Sequence, residues 1–159
     1  MAVLAERTFR EAFESRNSPE NIDLHCARHF GTEIQARELA DRGLVTAVAE
    51  EAGRLVGYTQ LRLAQASDSV RAQRPAELWR IYVSREWQGR GIAQDLMKNA
   101  LATAVRAGSD CLWLGVWEHN PRAIAFYRKF GFEIVGQHAF MLGNESQRDI
   151  IMAAHLGRD

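Results

Sequence analysis

Apolar residues follow two periods along this chain. At strand spacing stand Leu44 to Ala49 and Arg54 to Leu63, two runs joined by Glu50-Glu51-Ala52-Gly53, a hairpin signature. Leu78-Trp79-Arg80-Ile81-Tyr82-Val83 is rich in aromatic and β-branched residues and predicts a third strand. Cys111 to Trp117 is a continuous apolar run, short enough for a buried strand, and Phe132 to Phe140 and Ile150 to Leu156 predict two more around a turn near Gly143-Asn144. At helical spacing stand Ile92, Leu96, Ala100, Leu101, Ala104 and Val105, with Gly108 placed to end that helix. Ala123, Phe126, Tyr127 and Phe130 mark another helix, opened by Asn120-Pro121 and closed by Gly131.

Ahead of the strands, Thr8 to Asp41 reads as helices. Phe9, Ala12 and Phe13 share one face; Ser18 and Pro19 supply an N-cap and a first helical position. Leu24, Ala27 and Phe30 continue that second helix, Gly31 breaks it, and Thr32 caps a third. Ser67 to Pro75 is polar and reads as a loop. Helices, an antiparallel pair, then strand-helix-strand-helix-strand predict a mixed α/β domain over residues 1–159, its central parallel pair joined by the Ile92 helix.

Composition narrows the class. The 159 residues are 47% hydrophobic, enough for one globular core. Lys+Arg and Asp+Glu both number 20, so bulk charge favours neither nucleic acid nor a membrane surface as partner. Cys26 and Cys111 form no metal or disulfide pattern, and no apolar run approaches the ~20 residues of a membrane span. A cytoplasmic protein without a metal is expected.

The candidate chemistry starts where the Leu78 strand meets the Ile92 helix. Gln88-Gly89-Arg90-Gly91-Ile92-Ala93 puts two glycines and an arginine at a helix start. Free amides of the first turn, the positive end of the helix dipole and the missing side chains together favour phosphate. There is no Gly-x-x-x-x-Gly-Lys-Ser/Thr run, and Gln94 after Ala93 breaks a Gly-x-Gly-x-x-Gly fingerprint. A glycine-containing turn with no ligand is the other reading of this stretch taken alone.

Gln88-x-x-Gly91-x-Ala93 resembles the pyrophosphate-binding motif of the GNAT superfamily of N-acetyltransferases, Gln/Arg-x-x-Gly-x-Gly/Ala. Downstream, Asn120-Pro121-Arg122-Ala123 and Tyr127-Arg128-Lys129-Phe130-Gly131-Phe132 resemble its second signature, Asn-x-x-Ala followed by Tyr-x-x-x-Gly-Phe. Thr8-Phe9-x-x-x-Phe13, Leu112 to Trp117 and His138-x-Phe140-x-Leu142-Gly143-x-x-x-Gln147-x-Asp149 look most like its bacterial spermidine/spermine acetyltransferase branch. The family's usual strand before the first helix is missing or very short.

The resemblance implies a mostly antiparallel sheet with a splayed central parallel pair, flanked by helices. It also implies acetyl-CoA as co-substrate. Its pyrophosphate would lie on the amides of Gly89, Arg90, Gly91, Ile92, Ala93 and Gln94 after Gln88, with Tyr82 and Val83 pairing with the pantetheine arm. A strand bulge would free the Ile81 amide to polarise the thioester carbonyl. Asn120 would both cap its helix and touch the donor. Tyr127 reads either as a core aromatic or, through the signature, as the acid that protonates the leaving thiolate. Glu77, eleven residues before Gln88, resembles the glutamate base of the histone-modifying members; solvated strand-end Glu is the other reading. His138 reads as acceptor-pocket, core or surface, His119 as surface, Cys111 as inert, and Trp113 and Trp117 as core more often than substrate clamp, with Trp117 near the strand's carboxyl end where ligands gather. The expected reaction is direct transfer to a primary amine of a small molecule, a polyamine among the options. Alternatives are a protein N-terminal or lysine acetyltransferase and a non-catalytic acyl-CoA-binding domain. A homodimer is a family-level expectation.

Overall fold

The computed structural model describes residues 1–157. Three helices come first: α1 (Ala2–Phe13), α2 (Pro19–His29) and α3 (Thr32–Ala40). Helix α1 starts six residues earlier than the Thr8 expected, because Leu4 and Ala5 extend the buried stripe of Thr8 and Phe9 back by one turn. Ser18 caps α2 by accepting from the Asn21 amide, ahead of Pro19. Its buried face carries Ile22, His25 and Cys26, not Leu24 and Ala27. At α3, Gly31 is the N-cap and Thr32 the first helical residue, since only glycine suits the φ of 141° there.

Six strands form one sheet in the order β1-β2-β3-β4-β6-β5: β1 (Leu44–Glu51), β2 (Arg54–Arg62), β3 (Pro75–Val83), β4 (Cys111–Trp117), β5 (Glu133–Leu142) and β6 (Glu145–His155). The β1–β2 hairpin is tighter than expected. Both strands run on to leave Ala52-Gly53, with φ of 49° and 76°, as a two-residue turn matching the sheet's twist. Helix α4 (Ile92–Arg106) carries the chain from β3 to β4, and α5 (Pro121–Arg128) follows β4.

Only β3 and β4 are parallel, and only Pro75, Ala76 and Glu77 pair, with Cys111, Leu112 and Trp113. Beyond Glu77 the strands part, so Leu78 to Val83 and Leu114 to Trp117 each keep an edge free of the other. Alternate side chains serve opposite faces. Leu61, Ala76, Leu78, Leu112, Leu114 and Val116 pack with α4 residues Met97, Ala100 and Ala104. On the other face Tyr58 and Leu142 pack with Leu4, Phe9, Ile22, Cys26 and Phe30 of the opening helices.

A buried polar network fastens α3 to this second face. Arg80 Nη1 donates to both Glu38 oxygens at 3.0 and 2.9 Å and to Gln60 Oε1 at 2.8 Å. The Gln60 amide donates to Glu38 Oε2 at 3.1 Å. Removing one partner of such a pair leaves a buried charge and costs about 3–5 kcal/mol.

Candidate functional site

The gap between β3 and β4 opens into a cleft of about 550 Å³ that reaches both faces of the sheet. On the α4 side lies the Gln88–Gln94 turn. Gly91 is the helix N-cap at φ 87° and Gly89 sits at φ 78°, conformations that a side chain disfavours. A Cβ at either glycine would meet nothing within 4 Å, so the space in front of them is open. The Gln88 amide donates to the Arg85 carbonyl at 3.2 Å, and the next to find a protein acceptor is Asp95, bonded to the Gly91 carbonyl at 3.1 Å. Among the described residues the six amides from Gly89 to Gln94 have none. Six donors at the positive end of a 15-residue helix suit a phosphate-bearing ligand. Gln88 Nε2 donates to the Val83 carbonyl at 3.1 Å, fixing the turn to the end of β3. The Arg90 guanidinium lies over the Trp87 ring.

Ile81, Tyr82, Val83, Asn120, Ala123 and Tyr127 all line the cleft. The β-bulge of β3 falls at Trp79, which has no partner between the Arg80–Gln60 and Leu78–Leu61 pairs, two residues before Ile81. Asn120 caps α5, accepting from the Ala123 amide at 3.1 Å. Tyr127 is half-buried, and burial is the main cause that raises its hydroxyl above the usual phenol range, with Tyr82 adding to it. The phenol therefore stays protonated at physiological pH.

On the opposite side the cleft is roofed by α1 and α2. Glu77 stands here, paired across strands with Arg62, whose Nη1 lies 3.2 Å from Glu77 Oε2. Burial raises the Glu77 carboxyl; Arg62 and His138 pull it the other way. Trp79 is held between two guanidinium groups, Arg62 at 3.4 Å and Arg80 at 3.7 Å from its ring centroid. Tyr82 is pushed up to about 12 by burial, against Arg80.

Two further residues complete this side. Asp149 on β6 pairs in register with Trp117 of β4 and with His138 of β5. It is 9% exposed, and burial raises its carboxyl above the usual range. His138, named from the sequence with three readings open, lines the cleft beside it. Asp149 entered the sequence reading only within a longer resemblance, without a role. His119, Cys111 and Trp113 are not part of the cleft lining, whereas Trp117 is.

A second, more open hollow of about 660 Å³ adjoins the mouth between Trp117–His119 and the β5–β6 hairpin. It lacks Tyr127, Glu77 and Asp149, all of which line the cleft. Among the described residues, no group of three or more His, Cys, Asp or Glu is placed to hold a metal ion. No helix among them is long and apolar enough to cross a membrane.

Residues 4–132 match the model of the acetyltransferase (GNAT) family. This chain belongs to that family. An uncharacterized N-acetyltransferase of Mycobacterium tuberculosis is 35% identical over 156 residues, covering 98% of this chain and 96% of the relative. The crystal structure of the PaiA N-acetyltransferase from Thermoplasma acidophilum, in complex with coenzyme A, aligns with a TM-score of 0.75 over 97% of this chain and 89% of that one. At 20% identity that likeness is one of fold. The likeness to the polyamine branch is narrower. A probable spermine N(1)-acetyltransferase of Bacillus subtilis subsp. natto is 29% identical over 90 residues, 55% of this chain and 59% of the relative. The GNAT protein described here is an acetyl-CoA-dependent N-acetyltransferase.

Proposed function

We propose that this N-acetyltransferase acts on a primary amine of a small molecule by direct transfer, without an acyl-enzyme. The observation that carries this reading is that six unpartnered amides follow Gln88, which lines the cleft, while the same cleft runs to a chamber roofed by α1 and α2 in which Glu77 and Asp149 stand. The Gly89–Gln94 amides hold the pyrophosphate of acetyl-CoA, and the free edges of Tyr82 and Val83 hold its pantetheine arm. Acetyl-CoA supplies the acyl group as a thioester, whose carbonyl the Ile81 amide polarises.

An alkylammonium, with a pKa near ~10, must lose a proton before it attacks. That proton goes to a carboxylate on the roofed side. The freed lone pair forms the C–N bond as the C–S bond breaks, the thiolate takes the Tyr127 proton, and the second N–H proton, lost as the amide forms, returns through solvent to the Tyr127 phenolate. The Tyr127 phenol is a weak acid in its buried site, so it gives up the proton only when thiolate charge develops beside it.

The roof favours a small acceptor over a protein chain: α1, α2 and the β5–β6 hairpin are fastened together. Gln147 Nε2 donates to Asn17 Oδ1 at 2.6 Å and Arg28 Nη1 to the Gly143 carbonyl at 3.1 Å. The hollow beside the mouth supports the second reading, in which a peptide lies there and inserts one amine. Acetyl-CoA-dependent thiol release, measured across small amines and across peptides with free N-termini or lysines, separates the two. Faster turnover of small amines is the expected result, and preference for peptides reverses the assignment.

A further inference from the structure

The small-amine reading leaves open which carboxylate receives the amine and what the rest of the acceptor looks like. The cleft answers through an imbalance of charge. Each of the other buried carboxylates at this end has its own guanidinium: Glu77 has Arg62 at 3.2 Å, and Glu38 has Arg80 at 2.9 Å. Asp149 has none. Its nearest cationic group is His138, with Nε2 3.8 Å from Oδ2, longer than a hydrogen bond and charged only when protonated. Among the described residues no N–H stands within hydrogen-bond distance of the Asp149 carboxylate oxygens. A carboxylate 9% exposed with no donor and no fixed cation is costly to bury, and chains keep such groups where a ligand compensates them.

The space in front of it is kept clear. Gly115, on the β4 edge that borders the gap, faces this pair. A Cβ there would stand 3.3 Å from Asp149 Oδ2 and 3.2 Å from His138 Nε2. Aromatic rings form a cluster in the rest of the lining, which also carries Thr8, His25 and Gln147. Phe13 and Trp117 have ring centroids 6.5 Å apart, Phe9 and Phe13 4.7 Å, Phe9 and Tyr82 6.4 Å. Among the described residues of this lining, the other carboxylate is Glu77, which has Arg62 as its partner.

We propose that Asp149 is the acceptor-ammonium site and the proton acceptor of this enzyme, and that its acceptors are monoamines with an apolar or aromatic body. This deepens the small-amine reading and rests on it. The ammonium N–H bond breaks, an O–H bond forms on Asp149, and the electron pair stays on nitrogen for the attack. Glu77, held by Arg62, keeps that guanidinium over Trp79 and neutralises it. A polyamine brings a second ammonium into a chamber whose other charges are already matched, beside Arg62 and Arg80. The raised Asp149 carboxyl suits a proton acceptor. Of the titratable groups around it, His138 stands on β5 and Tyr82 on β3; β4 presents Gly115 and Trp117, and α1 brings Phe9 and Phe13 to the same cleft.

The test uses the full chain, acetyl-CoA, and phenethylamine and spermidine as acceptors, with thiol release from neutral to alkaline pH and coenzyme A affinity by calorimetry. Wild type is expected to show kcat/KM at least about tenfold higher for phenethylamine. Asp149→Asn should lower that value by about a hundredfold at neutral pH and recover part of it as alkaline buffer deprotonates the amine, with coenzyme A affinity unchanged. Gly115→Ala, which leaves the carboxylate in place and fills the space before it, should raise the acceptor KM at unchanged coenzyme A affinity. That variant carries the test if Asp149→Asn does not fold. Wild-type kcat/KM and pH profile in Asp149→Asn, or spermidine as the better acceptor, overturns this assignment and leaves the small-amine reading standing. Absence of thiol release from any small amine with the wild-type enzyme overturns both.

Discussion

The Gln88–Gln94 turn offers a ligand main-chain amides, whereas the roofed side of the cleft offers side chains collected from distant parts of the chain. The turn is one local segment, and its shape depends on two residues at positive φ, Gly89 and Gly91. The roofed side draws Glu77 from β3, Arg62 from β2, His138 from β5 and Asp149 from β6, and it exists only when four strands are in register. Backbone recognition tolerates changes of side chain and fails when the chain path changes. Side-chain recognition fails one residue at a time, and the acceptor choice proposed above rests on it.

Four measurements press on this contrast. The largest effect is expected at Tyr127, where the cleft joins the two sides. Tyr127→Phe removes only the hydroxyl and should lower kcat by about 10²–10⁴-fold, with coenzyme A affinity unchanged. Unchanged turnover would return Tyr127 to a packing role and give the proton to solvent.

Next comes the turn itself. Gly91→Val places a branched side chain at φ 87°, which costs about 1–2 kcal/mol, and fills the open space where phosphate approaches. Its Cβ meets no protein atom within 4 Å, so the variant should fold and bind coenzyme A about a hundredfold more weakly. Retained affinity, read by calorimetry, would sink the amide site.

A smaller effect is expected in stability without any ligand. Because burial raises the Asp149 carboxyl, its favourable contribution to the fold is complete below the unfolded value near ~3.9 and is lost as pH rises through the raised value. Asp149→Asn should therefore melt a few degrees higher than wild type at neutral pH, a shift of order 1 kcal/mol, and the gain should vanish in acid. A lower melting temperature at neutral pH would mean that the carboxylate is compensated within the fold.

Smallest is Arg90→Ala. The side chain is exposed and its charge is screened, so coenzyme A affinity should fall by about threefold at low salt and by less at physiological salt. A loss rivalling that of Gly91→Val would show that the turn works through side-chain charge after all.

The same contrast governs what could be read before any coordinates. The glycine turn, the Asn120–Pro121 start of α5 and the Ala52–Gly53 hairpin were legible because a few adjacent residues impose each of them. The parallel pair followed from the α4 crossover, whereas the insertion of β6 between β4 and β5 had no mark in the sequence. Asp149 had no local mark. Its meeting with His138 is a matter of register, yet counting outward from the Gly143–Asn144 turn does find it, since both are the fifth residue from the turn on their strands. The Arg62–Glu77 pair has no such short count, because a bulge at Trp79 shifts the β2–β3 ladder and no glycine announces it. The Arg80–Glu38 network joins residues 42 apart, one on a helix with few apolar residues to fix its face.

Three residue pairs are all that join β3 to β4, and they divide the sheet into two blocks, β1-β2-β3 and β4-β6-β5. Glu77 and Tyr82 ride on the first, Asp149 and His138 on the second, so the distances between them are set across a joint held by three residue pairs and by the shared packing on α4. A molecule lying between them works as a keystone. A ligand bonded to the free edge of β3 and packed on β4 should stiffen the joint. Amide exchange in the upper half of β3 and β4 should slow together when coenzyme A is added, even at positions that no part of the ligand covers.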